Sequence, residues 1–162
     1  MIETARVYDD GPISMRYPRG EVKGVSLPVK PRALPIGKAE HLYGNIKGDV
    51  LFLTIGTPAY DAVEAAKKLG LDHDFEASVI NLRFAKPLDE KMICDFANNF
   101  DTIITVEEGV VRGGVGHSIL ELLQNNNLLK PVKILGIPDD FIDHASQGRQ
   151  KEVAGIDAKS VS

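Results

Sequence analysis

The sequence predicts a three-layer α/β domain whose sheet is mostly parallel with one antiparallel strand. Three observations predict it. Apolar runs of strand length recur along the second two thirds of the chain: DVLFLTI (Asp49–Ile55), ASVINL (Ala77–Leu82) and TIITV (Thr102–Val106). Between them lie segments with helical periodicity and helix caps, so strand and helix alternate, and this alternation implies right-handed crossovers and parallel pairing. The run Ile36–Leu42 is the exception: it reaches Asp49–Ile55 through the turn YGNIKG, and the two are expected to pair as an antiparallel hairpin.

Element by element, the chain opens with a short helix-like stretch, the turn DDGP and a short strand, ISMRY (Ile13–Tyr17), which Pro18 stops because proline cannot donate to a ladder. Residues 19–35 hold Gly20, Gly24, Pro28, Pro31 and Pro35 with little periodicity, and read as an extended linker. After the two strands, Thr57 is a candidate N-cap, Pro58 suits the first helical position and Gly70 the C-terminal cap. Ala62, Val63, Ala66 and Leu69 share a face of that helix. Asp89 should cap a helix through Phe96, with Met92, Ile93 and Phe96 turned inward. Gly116–Gln124 reads as a helix and Val132–Leu135 as the last strand, and a terminal helix should start near Gln147. The first strand has nothing before it to pack on, and GIDAKSVS stops where a new helix could begin. Both ends suggest a piece of a longer polypeptide.

The 162 residues make one ordinary domain, and a hydrophobic fraction of 43% supports a real core. A net charge of −4 without a Lys/Arg run argues against nucleic acid as the main partner, while leaving room for a local basic pocket. The lone Cys94 excludes an internal disulfide, fits a reducing cytosol and reads as a small buried apolar residue. No apolar run is long enough to span a bilayer.

Chemistry is sparse. In ITVEEGVVRGGVGHSILELL (Ile104–Leu123), a strand, two acids and a glycine-rich turn lead into a helix whose free N–H groups could hold an anion. Yet GGVGHSI lacks the third glycine of the dinucleotide fingerprint and the Lys-Ser/Thr pair of a P-loop, and Glu107 and Glu108 would repel a pyrophosphate. A close-packed turn is the better reading. Adjacent glutamates at a strand end point in opposite directions, which suits neither a paired acid/base site nor a shared substrate atom. His41, His73, His117 and His144 form no metal-ligand spacing, and His117 and His144 read as structural. Two arginines stand out. Arg83 follows ASVINL at the carboxyl end of a parallel strand, the edge where open α/β sheets place ligands. Arg16 lies within the apolar run ISMRY. A guanidinium fork at either place suits a phosphate or carboxylate, or a structural ion pair with one of the 23 acids.

The stretches YDDGPISMRYPRGEVKGV, LPIGKAE, INLRFAKPLDE, TVEEGVVRGGVGHSILELL and GIPDDFIDHASQ, in this order, resemble the C-terminal part of 1-deoxy-D-xylulose-5-phosphate synthases, thiamine-diphosphate enzymes of the transketolase superfamily. The combination of MRYPRG, LRFAKPLD and GIPDDFIDH is the specific part; transketolases and the β-subunits of 2-oxoacid dehydrogenases share only the glycine turn and the fold. The resemblance implies a transketolase-type C-terminal domain over residues 36–162, a linker over 19–35 and, in 1–18, a remnant of the middle, pyrimidine-binding domain. It implies an enzyme that condenses pyruvate with glyceraldehyde 3-phosphate to 1-deoxy-D-xylulose 5-phosphate and CO₂, a precursor for isoprenoid, thiamine and pyridoxal synthesis. Thiamine diphosphate and Mg²⁺ would be held by domains absent from this chain, so that it has no cofactor, metal or catalytic residue of its own and is expected to be inactive alone. Arg16 and Arg83 would bind the substrate phosphate. The parent would be a cytoplasmic homodimer with no nucleic-acid or membrane partner. Met1–Tyr17, cut off from its sheet, is expected to be disordered or packed on a neighbouring chain. The rival readings are another transketolase-like enzyme or 2-oxoacid dehydrogenase β-subunit, and a stand-alone assembly module.

Overall fold

The computed structural model of the chain describes residues 1–18, 20, 26 and 28–162. The elements are α1 (Ile2–Val7), β1 (Glu40–Tyr43), β2 (Gly48–Ile55), α2 (Pro58–His73), β3 (Ala77–Asn81), α3 (Glu90–Ala97), β4 (Phe100–Val110), α4 (Val115–Asn125), β5 (Val132–Ile137), α5 (Gln147–Ala154) and α6 (Ala158–Val161). One five-stranded sheet runs in the order β1-β3-β2-β4-β5. β2 lies parallel to β3 and β4, β4 lies parallel to β5, and β1 is antiparallel to β3.

Period-two alternation in β2 builds the two cores. Leu51 and Leu53 face one side, with Ile93 and Ala97 of α3 and Ile119, Leu122 and Leu123 of α4. Phe52 faces the other, with Ala62, Ala65 and Ala66 of α2 and Ile156 and Val161 from the C-terminal end. Both faces of the central strand are therefore covered, which is why DVLFLTI is a near-continuous apolar run. The alanines along α2 let the helix lie close on the sheet.

The expected hairpin does not form. β3 inserts between β1 and β2, and the Gly44–Lys47 loop slides across its start. A Cβ on Gly44 would stand 2.2 Å from the Ala77 carbonyl oxygen, and one on Gly48 would stand 2.4 Å from that of Glu76. The reason is burial: β2 is apolar on both faces and takes the two central parallel partners, whereas short, half-exposed β1 is left to the edge. β1 is nonetheless the single antiparallel strand of the sheet.

Three smaller expectations also change. α2 runs past Gly70 to His73 and ends on Asp74 in the left-handed region. Ile13–Tyr17 is not a strand, and Ile13 and Tyr17 are exposed. The first residues form structure within the chain: α1 is helical, and buried Thr4 accepts the Leu34 N–H at 2.8 Å. Of the expected linker, Arg19, residues 21–25 and Leu27 lie outside the described residues.

Candidate functional site at the carboxyl edge of the sheet

The chain leaves β2 toward β3 and leaves β4 toward β5, on opposite sides, so the carboxyl ends of β2 and β4 form the switch point where open α/β sheets bind ligands. Four charged side chains, Glu107, Glu108, Arg83 and Arg16, occupy or flank this edge.

Glu107 explains the glycine-rich turn. Its carboxylate is 4% exposed and accepts the N–H groups of Val115 at 3.0 Å and Gly116 at 2.9 Å, in the first turn of α4. The helix end therefore binds an anion, and the anion is the chain's own side chain. The glycines make room for it: a Cβ on Gly114 would stand 2.5 Å from Glu107 Oε1, and one on Gly116 would stand 2.7 Å from both Thr105 Oγ1 and Ile134 Cγ2. His117 completes the turn, its Nδ1 accepting the Gly113 N–H at 2.6 Å.

Glu108 points to the opposite face, as adjacent strand residues must. It accepts the Thr57 hydroxyl across the switch point. Lys151 of α5 lies 3.9 Å from the same oxygen and pairs with Asp61 of α2 at 2.7 Å. Thr57 thus begins α2 without capping it through its side chain. The Asp61–Lys151–Glu108 set was missed in the sequence, because Lys151 sits 90 positions from Asp61 and no spacing rule connects them.

Arg16 is exposed and lines a cleft of about 420 Å³ together with Glu108, Lys151, Gln150, Ile137 and Phe141. The cleft opens beside the switch point, between the ends of β4 and β5 and the first turns of α5.

Arg83 stands on the far side of β2. Strand spacing puts the end of β3 about 10 Å from that of β4, and Arg83 does not line the Arg16 cleft. The structure thus places both arginines on one edge without bringing them into contact. Arg83 has φ +60°, a left-handed conformation that costs an L-residue about 1–2 kcal/mol. Among the described residues, the other non-glycine positions with positive φ are Asp74 and Asn127, short polar residues that tolerate it. Asn81 Oδ1 accepts the Arg83 N–H at 3.1 Å and holds the turn, and the guanidinium Nη2 pairs with Glu40. Glu40 is placed by Asp89, whose carboxylate caps α3 through the Met92 N–H and also takes the Ala39 N–H at 3.2 Å. Burial alone would push the Asp89 carboxyl up, but those two N–H donors and the Lys38 ammonium hold it below the ordinary aspartate value. The stretches LPIGKAE and LRFAKPLDE are therefore locked together by one carboxylate. Glu40 was legible only as the last letter of the first.

Cys94 is half-buried, and burial, with Glu90 and Asp95 nearby, pushes its thiol up, away from a nucleophile's range. His41 bonds the Tyr43 carbonyl at 2.8 Å and packs edge-on against Phe96. The glycine-turn helix end is filled by Glu107, and among the described residues no three His, Cys, Asp or Glu side chains group to hold a metal.

Comparison with known proteins bears on this edge. The chain is 44% identical over 162 residues to the 1-deoxy-D-xylulose-5-phosphate synthase of Thermomicrobium roseum, and 42% identical over 163 residues to that of Synechococcus elongatus. Both alignments cover the whole chain but 25% of the relative, so the chain spans about a quarter of the length of the curated relatives it matches. Among solved structures, a split-gene transketolase described as an inactive β4 tetramer aligns with TM-score 0.71 and 27% identity over 80% of this chain and 41% of that one. A transketolase from Campylobacter jejuni aligns at TM-score 0.57 and 16% identity over 77% of this chain and 18% of its own, a likeness of fold alone. The family profile described as "Transketolase, C-terminal domain" matches residues 37–161, most of the sequence, and the chain belongs to that family.

Proposed function

We propose that the chain is the C-terminal part of a 1-deoxy-D-xylulose-5-phosphate synthase, and that Arg16 and Arg83 hold the phosphate of glyceraldehyde 3-phosphate while it condenses with pyruvate. The observation that carries the reading is Arg83: an arginine in a left-handed turn at the carboxyl end of a parallel strand, where glycine would relieve the backbone cost. Retention of a costly conformation at a ligand-binding edge points to function. Exposed Arg16 at the mouth of its cleft supplies a second cation on the same edge. Two guanidinium groups suit a phosphate dianion better than the single charge of pyruvate.

In this reading the arginines orient the acceptor and move no protons. Thiamine diphosphate and Mg²⁺ belong to the preceding domains of the same polypeptide, which supply the carbanion chemistry. Residues 1–18 belong to the middle domain, 19–35 to a linker and 36–162 to the C-terminal domain, so the phosphate lies between domains and helps to clamp them. The parent is a cytoplasmic homodimer, and the chain alone turns over nothing.

The test varies glyceraldehyde 3-phosphate in the full-length polypeptide. Arg83→Ala should lower acceptor kcat/KM by about ten- to a hundredfold, the loss of a charge-assisted contact, and leave the pyruvate KM nearly unchanged. Equal acceptor dependence in variant and wild type would sink the phosphate site. A second reading, a separately encoded subunit, is favoured by the likeness to the split-gene transketolase. A native polypeptide of this size that regains activity when mixed with a cofactor-binding partner would favour it.

A further inference from the structure

We propose that Glu40 is a tethered competitor of the phosphate at Arg83 and sets how tightly that phosphate is held; the inference rests on the phosphate reading above. What is fixed at this site is main chain. Arg83 is held by Asn81 Oδ1 in its left-handed turn. Glu40 is held by its pairing opposite Asn81 and by the neighbouring Ala39 N–H on Asp89. What is free to move is the Glu40 side chain. It is 43% exposed against 22% for Arg83, and it meets the guanidinium at Nη2. An ion pair this exposed is worth little, so a dianion can displace it. The displaced carboxylate cannot leave the neighbourhood, because β1 stays paired to β3 beside the arginine. It therefore repels the bound phosphate and weakens it, which favours release of a phosphorylated product.

A merely structural Glu40, needed to aim the guanidinium, predicts the opposite sign. Glu40→Gln separates the two roles: it keeps the length and an oxygen acceptor for Arg83 and removes the charge. The probe is inorganic phosphate, titrated into the 162-residue chain and followed at the backbone amides of Asn81–Phe84 by NMR. The wild type, Glu40→Gln, Glu40→Asp and Arg83→Gly are compared, the last keeping the turn and losing the cation. The β1–β3 amides report whether each variant keeps its strand pairing.

Glu40→Gln should bind phosphate about fivefold tighter than wild type, the size of one partly screened like charge. Glu40→Asp should fall between them, and Arg83→Gly should show no saturable shift. Equal or weaker binding in Glu40→Gln, with binding still lost in Arg83→Gly, overturns the competitor role and leaves the phosphate reading standing. Phosphate shifts that persist in Arg83→Gly, or that are absent from the amides of Asn81–Phe84 in both wild type and Glu40→Gln, overturn the phosphate reading and the competitor with it.

Discussion

The β4–α4 turn and the end of β3 lie on the same edge of one sheet, and each carries an anion beside a group that attracts it. In the first, the Glu107 carboxylate is buried and both its partners are main-chain N–H groups. In the second, the Glu40 carboxylate is well exposed and its partner is the guanidinium of a side chain. The first anion cannot swing away without leaving the buried Gly116 N–H and the partly buried Val115 N–H unpaired. The second can swing into water at small cost. A carboxyl-edge turn becomes packing or a binding site according to how completely the chain's own anion fills it, rather than according to its glycine content.

The largest effect is expected at the closed turn. Glu107→Ala strands the N–H groups of Val115 and Gly116 and should destabilise the chain by about 3 kcal/mol in urea unfolding. Added formate should restore part of the loss, because the emptied helix end becomes an anion site; without any formate response, the account of the turn as a filled anion site fails. Gly116→Ala should cost about 2 kcal/mol, since its Cβ meets Thr105 and Ile134 at 2.7 Å. A neutral result there would show that α4 can step away from the sheet.

Asp89 links the two motifs of the open turn, and its replacement tests them together. Asp89→Asn keeps one side-chain oxygen for the Met92 N–H but replaces the other, which accepts the Ala39 N–H, with an amide donor, and should cost about 1 kcal/mol near neutral pH. The wild-type carboxyl is held below its ordinary value of 3.8, so its contribution is complete above that value and is lost as pH falls through it toward the lowered one. Wild-type stability should therefore fall more steeply with acid than that of Asp89→Asn, and parallel curves below pH ~5 would contradict the linkage. The smallest effect is expected at Arg83. Arg83→Gly should raise stability by up to about 1 kcal/mol through the relieved turn, whereas Arg83→Ala should give no such gain. Equal melting temperatures for the two variants would remove the backbone cost on which the functional reading of Arg83 leans.

Much of the fold was legible in the sequence, and particular residues show why. Asp49–Ile55 announces a strand covered on both faces, Pro58 opens its helix, and Asp89 caps the next one through its own side chain. These are local signals, carried by contacts a few residues apart. The hairpin failed for a nonlocal reason: β3, which begins 34 positions after β1 ends (Tyr43 to Ala77), takes the edge of β2 in place of β1. Within the site, the direction of Glu108 followed from strand alternation, but its partners Thr57 and Lys151 did not.

The α/β class, the four later strands, most of the helices, the packing character of the glycine turn and the two arginines worth testing could all be read from the residues alone. This is possible because periodicity, caps and turn chemistry act over one or two turns of chain. The strand order, the insertion of Glu107 into the α4 end, the Asp61–Lys151–Glu108 set and the meeting of Glu40 with Arg83 emerge only once the chain is packed. Those depend on which surfaces are buried against one another, and burial is a property of the whole chain that no local window contains.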